Sequence, residues 1–473
     1  MAKEIDADLC IIGGGSGGLS VAAAAAQMGA HCVLVEKGKM GGDCLNTGCV
    51  PSKSLLAAGH AAHAVRDAGR FGVKASPPGV DFAAVNAHVH DVIAGIAPHD
   101  SVQRFEGLGV TVLREAGRFT GRLELAAGDT MVRARRFVIA TGSSPLVPPI
   151  PGIDRVPYLT NETVFDLKAA PARLIVIGGG PIGLEMAQAH RRLGCEVTVV
   201  EALDILNMDD PELVEVVRRR LVGEGITLHE GAKVTAVAPA GTGIRVNLER
   251  QGETTQIEGS HLLLAVGRAA NVEGLGLAEA GVAHTPRGIE VDARLRTTNK
   301  KIFAIGDVAG GYKFTHVAGY HAGIVIRNAL FRLPAKADHS AVPWVTFTAP
   351  ELAHVGLNAA AAAAGMSPTI LRAPFAENDR ARTERTADGL VKAVVGARGR
   401  VLGASIVGAH AGELILPWVL AVQGKLRVGD LASVITPYPT LSEATKRAAG
   451  GFYTPRLFSR RTRAMVRALA WLG

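Results

Sequence analysis

A glycine-rich turn that follows a strand-like apolar run and opens a helical pattern occurs twice in this chain of 473 residues. Each turn has the spacing G-x-G-x-x-G: Gly13, Gly15 and Gly18 in the first copy, and Gly178, Gly180 and Gly183 in the second. Glycines in this pattern allow a tight turn and a close approach of the backbone to a pyrophosphate, which then lies at the positive end of the helix. An acidic residue, Glu36 or Glu201, follows the first glycine of each copy by 23 positions and can hold ribose hydroxyls.

One such turn is weak evidence for a nucleotide, because structural turns without a ligand also use glycine. Two copies in the same strand–turn–helix context predict two Rossmann-like dinucleotide-binding domains in an α/β fold. Two dinucleotides on one chain indicate hydride transfer between a nicotinamide and a second redox cofactor, most simply a flavin. The residues after Glu201, ALDILNMDD, contain no Arg or Lys to pair with a 2′-phosphate, so NADH is predicted over NADPH.

Cys44 and Cys49 lie five positions apart in GGDCLNTGCVPSK, residues 41–53, although the chain has only five cysteines. Three interpretations fit such a pair: two unrelated buried thiols, half of a metal site, or a redox-active disulfide. A helix predicted to begin at about Cys44 would depress a thiol pKa at its N terminus, and no further ligands at zinc spacing lie nearby. Next to flavin and nicotinamide sites, the pair is predicted to be a redox-active disulfide. The other cysteines lie in apolar strand patterns and are predicted to be buried packing residues: Cys10, Cys32 and Cys195.

Length and composition narrow the class of protein further. The length predicts two to four domains, at roughly 100–200 residues per domain. No run of about 18 uncharged apolar residues occurs, and the N-terminus runs straight into a strand pattern, so neither a membrane span nor a signal peptide is expected. Sparse cysteine indicates a reducing compartment, and we predict the cytoplasm. The net charge of +8 is spread along the chain and anionic cofactors explain part of it, so no nucleic-acid partner is predicted.

The segment GGDCLNTGCVPSK closely resembles the active-site motif of the class I pyridine nucleotide–disulfide oxidoreductases, the family of dihydrolipoamide dehydrogenase, glutathione reductase and mercuric reductase. The likeness covers nearly the whole chain and implies FAD and NAD(H) as cofactors. Further segments resemble the family's two crossings between the FAD and NAD domains, its flavin-binding segment and the opening of its dimerisation domain: ARRFVIATGSSP (134–145), LLLAVGRAAN (262–271), KIFAIGDVAG (301–310) and FTAPELAHVGL (347–357).

The resemblance implies a role for each matching residue. Cys44 would be the interchange thiol that faces the substrate, and Cys49 the charge-transfer thiol against the flavin. Lys53 matches the lysine beside the flavin N5 edge, and Glu185 matches its ion-pair partner at the nicotinamide. Without the family, Lys53 could be a solvated helix residue and Glu185 a charge on a helix face. Asp307 would bind the flavin ribityl chain. Cofactor contacts are also implied at the glycines of the two crossings, Gly142 and Gly267.

The sequence departs from the family at its C-terminal catalytic element. The family's disulfide reductases carry His-Pro-Thr…Glu there, contributed to the partner subunit's active site, with the histidine as general acid–base. This chain reads TPYPTLSEATKR (436–447), so Tyr438 takes the histidine position while Glu443 matches. A tyrosine with an ordinary pKa near 10 is a poor base at neutral pH, although it can donate a hydrogen bond. The departure argues against ordinary dihydrolipoamide or glutathione turnover.

We therefore expect four regions: an FAD domain at 1–150, an NAD domain at 151–270, a return to the FAD domain at 271–340, and a C-terminal α+β dimerisation domain at 341–473. The predicted function is a dihydrolipoamide-dehydrogenase-like disulfide oxidoreductase that works as a homodimer. It would act on a small or protein-bound thiol or disulfide, with a lipoyl carrier as one candidate, and needs no metal. One alternative is a mercuric-reductase-like metal-ion reductase or a quinone reductase. An alternative of another class is a redox sensor or carrier-docking flavoprotein.

The final segment, TPRLFSRRTRAMVRALAWLG (454–473), extends beyond the usual end of the family. Its arginines alternate with apolar residues, as in basic amphipathic helices that lie on anionic membranes or dock on partners. Packing on its own dimer is the competing interpretation.

Overall fold

The computed structural model describes residues 3–471. Its α-helices are α1 Ser16–Gln27, α2 Gly42–Asn46, α3 Cys49–Asp67, α4 Phe82–Ile96, α5 Val102–Gly107, α6 Pro181–Arg192, α7 Pro211–Gly223, α8 Thr315–Ala329, α9 Ala359–Ala363, α10 Asp379–Thr383, α11 Ala411–Leu414, α12 Leu416–Gln423, α13 Val428–Ala432, α14 Glu443–Gly451, α15 Thr454–Leu457 and α16 Arg460–Leu469.

Thirteen strands lie between Lys3 and Gly259. These are β1 Lys3–Ile12, β2 Cys32–Val35, β3 Val110–Leu113, β4 Gly117–Gly121, β5 Glu124–Ala127, β6 Thr130–Ile139, β7 Ser143–Pro145, β8 Arg173–Ile177, β9 Glu196–Val200, β10 Thr227–His229, β11 Lys233–Ala240, β12 Gly243–Arg250 and β13 Glu253–Gly259. The remaining strands are β14 His261–Leu264, β15 Arg268–Ala270, β16 His284–Thr285, β17 Gly288–Ile289, β18 Ile302–Ala304, β19 Pro343–Thr346, β20 Glu351–Gly356, β21 Thr369–Pro374, β22 Leu390–Val395 and β23 Val401–Gly408.

The chain divides into two compact units. The first contains the residues up to Gly179 together with Met186–Ala202 and Gly231–Asp338. The second contains Gly180–Glu185, Leu203–Glu230 and the residues from His339 onward.

The largest sheet of the first unit is mainly parallel and is buried on both faces. β3, β2, β1 and β6 pair in that order in parallel, and β18 also pairs with β6 in parallel, so residues near 300 return to the sheet of the N-terminus. Along β1, Leu9 and Ile11 belong to one core cluster while Cys10 and Ile12 belong to another. An apolar run without polar alternation is what a strand covered on both faces requires.

A second βαβ unit follows the same plan. β8 pairs in parallel with β9 on one side and with β14 on the other. A separate antiparallel sheet, β11–β12–β13, packs its apolar side chains with those of β8 and β14. The three cysteines predicted to be packing residues, Cys10, Cys32 and Cys195, have no exposed surface, which confirms that prediction.

The second unit is built on a five-stranded antiparallel sheet in the order β19–β20–β23–β22–β21. Its core joins this sheet to α12 through Trp418 and to α14 through Ala448 and Ala449. The predicted α/β architecture with a C-terminal α+β domain is confirmed. Within residues 3–471, no helix has both the length and the apolar character needed to cross a bilayer.

Candidate active site

Both glycine turns adopt the geometry that a dinucleotide needs. Gly13 and Gly178 have φ values of +111° and +115°, which a residue with a side chain rarely adopts. A Cβ atom on Gly13 would collide with the carbonyl oxygen of Ala140, and one on Gly178 would collide with that of Ala265. The backbone at each turn therefore lies directly against the neighbouring strand's end, and a side chain is excluded from the space beside it.

The two acidic residues also take equivalent positions. The Gly14 N–H donates to Glu36 Oε2 at 2.5 Å, and the Gly179 N–H donates to Glu201 Oε2 at 2.7 Å. Glu36 Oε1 additionally accepts the Gly38 N–H at 2.5 Å. Each carboxylate therefore lies beside its own glycine turn at the end of the second strand, where ribose hydroxyls would be bound.

The dithiol segment differs from the predicted single helix. α2 ends at Asn46 and α3 begins at Cys49, so the expectation of one helix from about Cys44 is wrong. Gly48, with φ −126° and ψ −113°, breaks the helix, and a Cβ there would come within 2.9 Å of the Asp43 carbonyl oxygen. Cys49 consequently occupies the first turn of the longer helix, whereas Cys44 lies in the short one.

The two thiols are free and hydrogen-bonded to each other, Cys49 being exposed and Cys44 half-buried. The hydrogen bond from Cys44 is the main reason that the pKa of Cys49 falls to about 6, with help from Thr315 and the positive charge of Lys53. The same contact, together with burial, raises the pKa of Cys44. The arrangement therefore holds a thiolate on Cys49 and a proton on Cys44 at neutral pH.

A second helix begins next to the thiols. Thr315 opens α8, and its hydroxyl lies 3.5 Å from Cys49 Sγ. Lys53 is half-buried on α3, one turn beyond Cys49. Two helix N termini and a lysine thus concentrate positive potential on one sulfur.

A polar network extends from the dithiol segment to Asp307. Arg268 lies 3.2 Å from Asp43 Oδ1 and donates to the Ser143 hydroxyl at 2.7 Å and the Ser143 carbonyl at 2.6 Å. The Ser143 hydroxyl in turn donates to Asp307 Oδ2 at 2.5 Å. Asn161 bonds to Asp43 at 3.0 Å, which ties the same carboxylate to a further buried side chain.

Asp307 lies in a short 3₁₀ helix, Gly306–Ala309. The Gly306 N–H donates to Nδ1 of the buried His321 at 3.2 Å, which anchors the start of this turn to α8. Asp307 was predicted from the sequence, whereas Arg268, Ser143 and Asp43 were not. Arg268 and Ser143 directly follow Gly267 and Gly142, the two crossing glycines that were predicted to contact a cofactor. Nothing in the sequence pointed to Asn161.

Glu185 and Lys53 belong to different units, so their predicted ion pair stays a prediction. Glu185 is buried, at 4% exposure, and accepts the Phe347 N–H at 2.9 Å within its own unit. A buried carboxylate with a backbone donor is held in one orientation.

The C-terminal catalytic candidates lie in the second unit. Tyr438 is 70% exposed, and its hydroxyl donates to Asp379 Oδ2 at 3.2 Å. This bond, followed by the charge of Asp379, raises the pKa of Tyr438. Glu443 accepts the Thr440 N–H at 3.3 Å, which sets the turn before α14. Asp379 was missed from the sequence, because it lies 59 positions away with no motif to mark it.

The remaining predicted cofactor residues occupy turns. Gly15 precedes α1 and lies against Gly42, since a Cβ on Gly42 would come within 2.7 Å of the Gly15 Cα atom. Gly142 and Gly267 both have positive φ values, +69° and +124°, and neither position has a neighbouring atom that a Cβ would meet within 4 Å. Gly180 is similarly open, whereas Gly18 is packed against Gly13 and Gly183 is buried.

Comparison with known proteins identifies one family over most of the chain. Residues 7–322 match the family described as pyridine nucleotide-disulphide oxidoreductase, and residues 342–449 match the dimerisation domain of that family. A mercuric reductase from Streptomyces lividans is 37% identical over 454 residues, covering 94% of this chain and 96% of that protein. A dihydrolipoyl dehydrogenase from Thermus scotoductus is 38% identical, covering 93% of this chain and 96% of that protein.

Two solved structures are similar over nearly the full length. LpdA from Mycobacterium tuberculosis has a TM-score of 0.86 at 28% identity, covering 97% of this chain and 100% of that one. The Cu(II) complex of the HOCl-induced flavoprotein disulfide reductase RclA from Escherichia coli has a TM-score of 0.83 at 27% identity, covering 92% of this chain and 98% of that one.

Proposed function

Because the chain belongs to the pyridine nucleotide-disulphide oxidoreductase family, we propose that it transfers electrons between NADH and a thiol or disulfide substrate through FAD and the Cys44–Cys49 pair. The observation that carries this proposal is the asymmetry of the two thiols. Cys49 has a pKa of about 6 while the pKa of Cys44 is raised, so at neutral pH Cys49 is a thiolate and Cys44 keeps its proton.

The chain's residues fit FAD at the first glycine turn. The positive φ of Gly13 and its close packing against the Ala140 carbonyl oxygen form the tight turn that a pyrophosphate needs, which supports binding of FAD there, with Glu36 at the ribose and Asp307 at the ribityl chain. When bound, FAD supplies two-electron exchange between a nicotinamide and a dithiol. The second glycine turn and Glu201 would hold the nicotinamide nucleotide by the same geometry.

Reduction of a substrate disulfide would use the sulfurs in order. Cys44 loses its proton and attacks one substrate sulfur, which breaks the substrate S–S bond and releases the first thiolate. The Cys49 thiolate then attacks Cys44 Sγ, which forms the Cys44–Cys49 disulfide and releases the second thiolate. The substrate gains two electrons and two protons, one proton from Cys44 and the other from solvent, because Cys49 has already lost its own.

Tyr438 would serve this reaction as a hydrogen-bond donor. Its raised pKa keeps the hydroxyl protonated at neutral pH, so it does not remove the Cys44 proton as a histidine near its ordinary pKa would. Asp379 would orient the hydroxyl. Slow exchange with dihydrolipoamide or lipoyl carriers, compared with a chain that has histidine here, follows from this difference.

The same observation favours a second candidate substrate, a soft metal ion such as Hg(II) or Cu(II). A thiophilic ion displaces the thiol proton on binding, so it does not require a general base at position 438. The likeness to mercuric reductase and to the Cu(II) complex of RclA supports this candidate.

NADH oxidation by the FAD-loaded enzyme, with lipoamide and with thiol-chelated Hg(II) as separate acceptors, tests both candidates. The matched variants are Tyr438→His, which introduces a base, and Tyr438→Phe, which removes only the hydroxyl. We expect Tyr438→His to raise lipoamide turnover about 100-fold, the lower end of the range of roughly 10²–10⁴ for general acid–base effects, and to leave Hg(II) turnover unchanged.

If the wild type turns over lipoamide fast and Tyr438→Phe does not, the tyrosine hydroxyl is sufficient for exchange with lipoamide. That result would favour dihydrolipoamide over a metal ion as the substrate. Turnover of any acceptor that survives Cys44→Ser with Cys49→Ser would contradict a role for the pair. The same assays with NADPH in place of NADH test the predicted cofactor preference.

A further inference from the structure

The C-terminal end of the chain lies outside the family match. The dimerisation-domain match ends at residue 449. Two helices follow it, α15 and α16, and the second begins after Ser459, whose side chain accepts the Thr462 N–H and caps it. This tail, residues 454–471, is therefore helical and lies beyond the matched dimerisation domain.

The tail carries most of the net charge of the protein. Seven Lys and Arg residues and no Asp or Glu occur after Glu443, against a net charge of +8 for the whole chain. Five of the arginines lie in the tail and all are exposed: Arg456, Arg460, Arg461, Arg463 and Arg467. The rest of the protein is close to neutral, so a second copy of this chain offers no net negative charge to attract the tail.

Three apolar residues of α16 share one side of the helix. Met465, Val466 and Leu469 have the spacing i, i+1 and i+4, which places them on one side of α16. They are 57%, 58% and 56% exposed. Arg460, Arg463 and Arg467 have the spacing i, i+3 and i+7, which places them on the other side of the helix. Aromatic residues stand exposed at both ends of α16, Phe458 at 66% and Trp471 at 91%.

We propose that α16 binds reversibly to the surface of an anionic lipid membrane. The arginines would contact lipid phosphates, while Met465, Val466, Leu469 and Trp471 would enter the boundary between headgroups and acyl chains. At ten residues, α16 is too short to span a bilayer, so it would lie in the plane of the surface. The phosphates of a polynucleotide could pair with the arginines, but a polynucleotide offers no apolar surface to the other side of α16. We therefore assign the helix to a lipid surface.

Co-sedimentation of the full-length FAD-loaded enzyme with lipid vesicles tests the proposal. We expect binding to vesicles of phosphatidylcholine mixed with phosphatidylglycerol and little binding to phosphatidylcholine alone. Replacing the four arginines of α16 with Gln should weaken binding at least about tenfold, because basic residues near an anionic surface supply much of the attraction to it. High salt should weaken it as well, since exposed charges are screened.

The matched control removes the same number of charges elsewhere on the exposed surface: Lys74→Gln, Arg155→Gln, Arg250→Gln and Lys336→Gln. It should bind vesicles as the wild type does. A second variant, Met465→Ser with Leu469→Ser, keeps every charge and should also lose binding. Equal loss in the control, or equal binding to phosphatidylcholine alone, would overturn the proposal.

Trp471 provides an independent readout. Its fluorescence should shift to shorter wavelength with anionic vesicles, and Trp471→Phe should remove the shift, because the other two tryptophans are buried or half-buried. Removing residues 454–473 should leave NADH oxidation in buffer and the dimer intact. A truncated protein that becomes monomeric would place the tail in the dimer interface instead of on a membrane. A wild type that fails to bind anionic vesicles would refute membrane binding directly.

Discussion

At the level of single residues, Cys49 lies among charges of opposite sign. Lys53 lowers its pKa and Asp43 raises it, while the hydrogen bond from Cys44 has the largest effect. Because Asn can still accept the bonds that Asp43 receives, Asp43→Asn should remove the negative charge with little change of geometry. We expect it to lower the pKa of Cys49 below about 6, and Lys53→Met to raise it. The pH dependence of iodoacetamide alkylation of the reduced enzyme measures both.

The two substitutions control for each other, since a general disturbance of the dithiol segment would shift the pKa of Cys49 in the same direction in both variants. Asp67→Asn removes a carboxylate from α3, the helix that begins at Cys49. Asp67 pairs with Arg70 at 2.9 Å, and its substitution should leave the Cys49 titration unchanged. A rise in the Cys49 pKa in Asp43→Asn would contradict the argument from charge.

The sequence predicts some parts of the candidate active site better than others. The glycine turns and the acids that follow them depend on residues within one βαβ unit, so their spacing alone was sufficient. Arg268 contacts Asp43 and Ser143 across 225 and 125 positions, and Tyr438 contacts Asp379 across 59. Such contacts depend on how sheets and helices pack, and no local pattern encodes them.

At the level of secondary structure, the break between α2 and α3 is the clearest difference from the prediction. The pattern from Cys44 to Asp67 is compatible with one helix, because Gly48 costs only about 1 kcal/mol in a helix interior. In the conformation observed at the break, a Cβ on residue 48 would come within 2.9 Å of the Asp43 carbonyl oxygen, so glycine is required there. The break gives Cys49 a helix N terminus of its own, which is the position that depresses a thiol pKa.

α6 contains a buried titratable group, His190, whose Nδ1 lies 2.9 Å from the Met186 carbonyl oxygen. Burial lowers the pKa of His190 to about 4, below its ordinary value of 6.5. The unfolded chain therefore takes up this proton before the folded chain does. Stability is then highest above the unfolded pKa and falls as the pH drops from 6.5 toward 4. His190 should contribute a loss of about 2 kcal/mol in the free energy of unfolding between pH 7 and pH 5.

His190→Gln keeps a polar side chain without a titrating group in this range, so its stability should depend less on pH over the same interval. The comparison is made by denaturant unfolding at each pH. His88→Gln removes an exposed histidine and should keep the wild-type pH dependence. An equal loss of stability on acidification in wild type and His190→Gln would assign the acid sensitivity to other groups.

At the level of the whole molecule, the dimerisation domain supports a homodimer, and the predicted site takes its dithiol from one subunit and Tyr438 and Glu443 from the other. Mixed dimers of Cys49→Ser and Glu443→Ala subunits test this arrangement. Each homodimer should be nearly inactive with a disulfide substrate. In the mixed dimer, one site combines an intact dithiol with an intact Glu443, so its activity should be about half that of the wild type, as symmetry of a two-fold dimer requires.

If instead each subunit completed its own site, both sites of the mixed dimer would carry one defect and activity would stay at the level of the two homodimers. Differently tagged subunits, co-expressed and purified through both tags in turn, isolate the mixed species. A matched mixture of Cys49→Ser and Cys44→Ser subunits provides the control, because both substitutions remove the dithiol itself and neither site can be restored. Recovery in that control would mean that wild-type chains contaminate the preparation or that one thiol per site is sufficient, and shared sites would then not account for the activity.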